Sequence, residues 1–381
     1  GEGLNADEAA KRQALACSRR WVVKIGSALA TQHGVGLNLA AIEDWAAQLA
    51  AIRQAGTEVI VVTSGAVAEG AARLNWATRP NSLNQLQAAA AIGQMGLARS
   101  WDLAFSQCGV LAAQILLTHE DIANRERYLN SRSTLLTLLQ LGVVPLINEN
   151  DTVATEEIKL GDNDTLAGMV SNLVDADLLV ILTDQSGLMS ADPRLDPTAK
   201  LITRAELDDP QIMAMAGGGG AWGRGGMRTK ISAARLAARS ATSTIIAGGH
   251  ELGVLSTIAQ GRQVGTLFVA PTTKLAARKQ WLASTLHVRG VVRLDEGACR
   301  VLREQGKSLL AVGVAGVEGR FERGELVSCV DPNGVELARG LANYSAAETQ
   351  LIKGAPSSRF EEILGYLRDL ELIHRDNLAL V

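Results

Sequence analysis

The chain has 381 residues, 47% of them hydrophobic and 20% charged, with a formal net charge of -3. That length and apolar content suit two domains with a sizeable core. The near-neutral balance excludes a general electrostatic pull toward nucleic acid or anionic membrane, so an anionic ligand must be drawn by local positive charge. No apolar run approaches the roughly 18 residues needed to span a bilayer. The first residues, GEGLNADEAAKRQALACSRR, lack the apolar centre of a secretory signal. Cys17, Cys108, Cys299 and Cys329 lie far apart with no CxxC pair. They read as buried thiols of a reducing compartment, and the expected location is the cytoplasm.

Residues 1–20 form an N-terminal extension that reads either as a short helix or as a loose segment. WVVKI (21–25) is a predicted strand. Asn38 can cap the next segment, where Leu39, Ile42, Trp45, Leu49 and Ile52 recur at helical spacing up to Gly56. EVIVV (58–62) is a second strand, and a helix-rich stretch covers about 66 to 105. VLAAQILL, VVPLI and DLLVIL then alternate as strands with the helical patterns RERYLNSRSTLLTLLQL and DTLAGMVSNLV. The helix MRTKISAARLAAR and the strands STIIA and TLFVA close this part. Val-, Ile- and Leu-rich strands alternating with helices predict an α/β fold, a mainly parallel sheet sandwiched between helices. Ligands of such sheets bind beyond the carboxyl ends of the strands.

The pattern changes near Pro271. PTTKLAARKQWLAST reads as a linker, 272–283, and HVRGVVRL, LLAVGVAGV and ELVSCV as shorter strands. DPNG (331–334) marks a hairpin turn before VELARG. The expected division is therefore a domain at 21–271 and a small β-rich domain at 284–381.

Five strand-end loops carry polar chemistry. VKIGSA places Lys24 inside an apolar strand ahead of Gly26 and Ser27. A lysine there is either a solvent-facing edge residue or part of an anion site, since glycine lets backbone N–H groups approach an anion closely. In TSGAVAEG, Ser64 either caps a helix or helps bind an anion at its N-terminus. INENDTVATEEIKLGDND (147–164) packs six carboxylates, three asparagines and one lysine between apolar elements. Thr183 and Asp184 follow DLLVIL, and GGGGAWGRGGMRTK (217–230) leads directly into a helix.

Two tempting motifs fail. GGGAWG (218–223) fits G-x-G-x-x-G but follows no clear strand of an opening βαβ unit, and GKS (306–308) has Val301 where a P-loop needs glycine. The five histidines, His33, His119, His250, His287 and His374, stand in no metal-ligand or triad spacing.

VVKIGS, VTSGAVA, INENDTVATEEIKLGDND, LTDQSGL…ADPR and GGMRTK, in this order, closely resemble the amino acid kinase family over roughly residues 20 to 270. The tail from about 284 resembles a PUA domain. The acid-rich stretch resembles the branch of the family that phosphorylates glutamate. The resemblance implies transfer of the ATP γ-phosphoryl group, with Mg²⁺, to the side-chain carboxylate of L-glutamate, giving L-glutamyl 5-phosphate at the start of proline biosynthesis. It further implies inhibition by proline and a homo-oligomer, dimer or tetramer. By position in the matching motifs, Lys24, Lys230 and Asp164 are implied as catalytic, Asp164 orienting both lysines. Ser64, Gly65, Asn148, Asp151, Asp162 and Asn163 are implied as the glutamate site. Lys24, Gly26, Ser27, Thr183, Asp184, Arg224, Gly225, Gly226, Met227, Arg228, Thr229 and Lys230 are implied as the nucleotide site. No protein ligand to a metal is implied.

Arg224 and Arg228 depart from the threonine and serine common in the family, as added phosphate contacts or as solvent-facing side chains. RNA binding is the rival expectation for the tail, because PUA domains elsewhere bind RNA. Residues 284–381 hold twelve Lys and Arg against fourteen Asp and Glu, a net of -2, which argues against phosphate-driven RNA binding.

Overall fold

A computed structural model describes residues 2–153, 163–216, 226–284, 287–304 and 306–381. The chain divides into two compact units, one formed by 1–120 and 134–271, the other by 121–133 and 272–381.

The first unit is built on an eight-stranded sheet of order β3-β4-β2-β1-β5-β7-β8-β6. Its strands are β1 (Arg20–Ile25), β2 (Glu58–Val62), β3 (Ala112–Leu117), β4 (Val144–Glu149), β5 (Leu178–Thr183), β6 (Arg204–Glu206), β7 (Ser243–Gly248) and β8 (Thr266–Val269). The recorded pairings are parallel except β7 with β8. β6 is a short strand that the sequence pattern does not announce.

β1 lies inside the sheet between β2 and β5, and all its residues after Arg20 are buried. Successive side chains of a strand face opposite sides. Trp21, Val23 and Ile25 join a core with Ile42, Trp45 and Leu49 of α3 (Leu39–Gln54) and Leu97, Trp101 and Phe105 of α5 (Leu83–Ser106). Here α1 is Glu2–Ala16, α2 Ser27–Ala30 and α4 Ala66–Arg73. Val22 and Lys24 therefore face the other side, toward α8. Between them in the chain stand α6 (His119–Ala123) and α7 (Arg125–Gln140), and α8 itself is Asp164–Leu173.

Asn38 caps α3 as expected, accepting from Ala41 N–H, but Leu39 at its first position is exposed. The helix has not yet turned its apolar face to the sheet there. The N-terminal extension is helical. Arg12 of α1 is buried and donates to the carbonyls of Thr203 and Val264 at 2.7 and 2.9 Å.

α4 and α5 pack at backbone distance. A Cβ on Gly70 would lie 1.7 Å from the Ala89 carbonyl oxygen, and one on Gly93 1.7 Å from that of Ala66. Only glycine permits this approach, and it brings the residue after Gly93 to the edge of the site.

The expectation of four buried thiols is corrected. All four cysteines are free, but Cys17 and Cys108 are exposed and only Cys299 and Cys329 are buried. Cys17 follows the end of α1 and Cys108 sits in the turn after α5, where no core covers them.

The second unit holds a five-stranded sheet of order β10-β9-β11-β12-β13, from β9 (Gly290–Leu294), β10 (Val314–Gly319), β11 (Leu326–Val330), β12 (Glu336–Leu341) and β13 (Leu378–Leu380). β11 and β12 pair antiparallel across the DPNG turn, where Gly334 has φ +84 and Asp331 accepts from the Asn333 and Val335 N–H groups. PTTKLAARKQWLAST is not a simple linker, because Lys274–Ser284 is a helix assigned to this unit. Arg323, buried within it, binds Asn130, the Asn343 carbonyl and Asp369.

Candidate active site

The carboxyl ends of β1, β2, β4 and β5 deliver their loops to one side of the sheet. A cavity of about 1000 Å³ opens there, with Ser27, Ser64, Asn148, Asp151, Asn163 and Asp184 in its lining.

Lys24 is 5% exposed, so the solvent-edge reading of this lysine does not hold. Its Nζ lies 2.6 Å from Asp164 Oδ1. Lys230, in the first turn of α10 (Met227–Ala237; α9 is Gln211–Met215), reaches Asp164 Oδ2 at 3.3 Å. Thr229 donates to the same Oδ2 at 2.8 Å. Burial by itself would raise the Asp164 pKa. The charges of Lys24 and Lys230, with hydrogen bonds from Lys24 and Thr229, outweigh it and hold the carboxyl down at about 2. Asp164 is not the N-cap of its helix: Asn163 holds that position, without a side-chain cap bond, and Asp164 is the first helical residue.

Ser64 is not a helix cap either. Gly65 occupies that position with φ +108, and Ser64 Oγ donates to the Ile25 carbonyl at 2.5 Å. The N–H of Gly26 itself is taken by the Leu182 carbonyl at 3.1 Å and joins β1 to β5. A Cβ there would press on that same oxygen at 3.2 Å.

Asn163 Nδ2 donates to the Thr63 carbonyl at 2.5 Å and to Asn148 Oδ1 at 2.7 Å. Its own Oδ1 is buried and has no hydrogen-bond partner among the described residues. Asp151 Oδ1 is in the same condition, and burial pushes the Asp151 carboxyl up to about 6. Two buried acceptors without donors in one cavity suit a ligand that brings donors.

Thr183 donates to Asp184 Oδ1 at 3.1 Å. Met227 is fully buried, whereas Arg228 is exposed. Asp162, Arg224 and Gly225 lie outside the described residues, as do Glu156, Glu157 and Lys159 of the acid-rich stretch. Among the described residues no three His, Cys, Asp or Glu side chains converge as a metal site. No described helix is long and apolar enough to cross a membrane.

Sequence reasoning missed several lining residues: Gln32, His33, Trp76, Arg79 and His250. It also missed Gln94, which accepts from Asn148 Nδ2 at 2.6 Å. The small-residue run AAAAIG before Gln94 was the available signal, since it permits close helix packing.

One buried carboxylate is thus shared by two lysines beside a polar cavity at the carboxyl ends of parallel strands. The amino acid kinase family profile matches residues 19–248 and the PUA domain profile residues 290–364. The chain belongs to the amino acid kinase family. Within it, similar curated relatives include glutamate 5-kinases. Those of Stutzerimonas stutzeri and Methylococcus capsulatus are each 58% identical over 97% of this chain, covering 100% and 99% of their own lengths. The glutamate 5-kinase of Paraburkholderia phymatum is 57% identical over the same share. Two solved structures overlap more loosely. They are the UMP kinase of Bacillus anthracis (TM-score 0.47, 16% identity, 67% of this chain and 97% of that one) and the aspartate kinase of Synechocystis (TM-score 0.46, 16% identity, 68% and 41%). That overlap is too loose to bear on function.

Proposed function

We propose that this chain transfers the γ-phosphoryl group of ATP to the side-chain carboxylate of L-glutamate, the first step of proline biosynthesis, in the cytoplasm. The observation that carries the site reading is the Lys24–Asp164–Lys230 cluster beside a cavity with two buried unsatisfied acceptors.

Nucleophile and phosphate are both anionic. Two unit charges at about 4 Å interact by roughly 4 kcal/mol at an effective dielectric near 20. Lys24 and Lys230 stabilise the charge that builds on the transferring group, and Asp164 keeps both ammonium groups oriented through charge-assisted hydrogen bonds. Little covalent chemistry falls to the protein; positioning and charge stabilisation do the work. Mg²⁺ bound with ATP would neutralise part of the phosphate charge.

Asp151 and Asn163 accept from the substrate ammonium group, and Ser64 and Gly65 face its carboxylate end. Thr183, Asp184 and the 224–230 segment hold the nucleotide. Proline competes for the same cavity, and the chain works as a homo-oligomer. The functional division runs 21–271 for catalysis and 284–381 for a PUA-like domain without RNA affinity.

The test is ATP- and Mg²⁺-dependent acyl phosphate formation, trapped with hydroxylamine, across a panel of amino acids. Turnover of N-acetylglutamate or aspartate but not glutamate would overturn the reading.

A further inference from the structure

Three amides form a chain that ends at the cavity. Gln94 Oε1 accepts from Asn148 Nδ2 at 2.6 Å, and Asn148 Oδ1 accepts from Asn163 Nδ2 at 2.7 Å. Backbone groups fix the direction of both asparagines. Asn148 Oδ1 also accepts from the Glu149 N–H at 2.8 Å, and Asn163 Nδ2 also donates to the Thr63 carbonyl at 2.5 Å. Reversing either amide would set donor against donor or acceptor against acceptor.

The consequence falls on Asn163. Both hydrogens of its Nδ2 are committed, so the group left to a ligand is Oδ1, which is buried without a partner among the described residues. It can only accept. Asn148 lines the cavity as well, but its Oδ1 already takes two donors and one of its two Nδ2 hydrogens goes to Gln94, so it offers no acceptor to an ammonium group. Gln94 itself is half-buried on α5 and absent from the cavity lining.

We propose that Gln94 is a positioning residue for amino-acid selectivity, holding the Asn148–Asn163 pair so that Asn163 Oδ1 is a fixed acceptor for the substrate ammonium group. The inference rests on the glutamate-site reading above. The glycine contact of Gly93 with α4 sets the placement, because the α4–α5 distance brings Gln94 within reach of β4. Without its acceptor, Asn148 Nδ2 loses the partner that anchors that end of the amide, so the side chain keeps its direction through Glu149 N–H but is held less firmly against Asn163.

Gln94→Met removes the acceptor at similar volume, and Gln94→Glu keeps one. Parent turnover of glutamate tests the reading of function; comparison among variants tests the relay. In Gln94→Met the glutamate KM is expected to rise about tenfold, the loss of one well-placed charge-assisted hydrogen bond, with the ATP KM and kcat within about twofold of the parent. Gln94→Glu is expected to restore the glutamate KM to within about threefold. Gln94→Ala serves the same purpose should the methionine variant not fold. An unchanged glutamate KM in the acceptor-free variants overturns the proposal. So does an equal loss in Gln94→Glu, or a matching rise in the ATP KM, since either would mark a general packing role.

Discussion

Asp164 gives one carboxylate oxygen to each of two lysines: Oδ1 to Lys24 at 2.6 Å and Oδ2 to Lys230 at 3.3 Å. One lysine comes from a central strand and the other from the first turn of a helix. The carboxylate therefore sets the spacing of two positive charges that the chain brings from distant segments.

Lys24→Met tests the first of those charges. The ammonium group is needed most when charge builds on the transferring phosphoryl group. The expected result is a fall in kcat of about a thousandfold with glutamate KM within about threefold of the parent. A raised KM with unchanged kcat in steady-state assays would contradict the role.

Asp164→Asn keeps the shape and removes the counter-charge of both lysines. A folded protein with turnover reduced at least about a hundredfold is expected. Stability follows a definite sign. The native carboxyl pKa, about 2, is depressed from 3.8, so the contribution is fully present above the unfolded value and is lost as pH falls through the native one. The difference in Tm between parent and variant should hold from pH 7 to about 5 and close toward pH 2.

Asp151 has the opposite sign. Burial raises its carboxyl from 3.8 to about 6, so the native state binds the extra proton and stability declines as pH rises across that window. Asp151→Asn should raise Tm at pH 7, by the equivalent of about 3 kcal/mol at most, and leave it unchanged at about pH 3, below the unfolded value. The same substitution should weaken glutamate binding at pH 7, and the parent's glutamate KM should climb below about pH 6 as the carboxylate takes its proton. A flat KM between pH 5 and 8, read by steady-state kinetics, would remove Asp151 from ammonium recognition.

Gly93→Ala tests the helix contact. The new Cβ would meet the Ala66 carbonyl oxygen at 1.7 Å and Gly70 N at 2.5 Å, both backbone atoms that cannot swing aside. Overpacking against backbone should cost about 3 kcal/mol or more in urea denaturation. Stability within about 0.5 kcal/mol of the parent would show that α4 and α5 separate without strain.

Much was written locally. The strands around the site, the cap at Asn38 and the turn at Asp331–Gly334 follow from apolar periodicity and short-range hydrogen bonding, and they formed where expected. The short strand Arg204–Glu206 and the helical nature of 274–284 were not legible, because neither carries a period long enough to stand out.

Residue type and order along the chain were enough to specify the family and the parallel sheet. Convergence was decided elsewhere. That Lys24 is buried depends on β2 and β5 flanking β1, and that the Gly26 N–H binds the Leu182 carbonyl depends on the same pairing. Asp164 lies 66 residues from Lys230, and Gln94 lies 54 residues from Asn148. Local propensity has no reach over such separations. Only the packing of α5 on α4 and of α8 beneath β1 brings these groups within hydrogen-bonding distance, where a glutamine with no motif of its own becomes the end of a chain that orients Asn163.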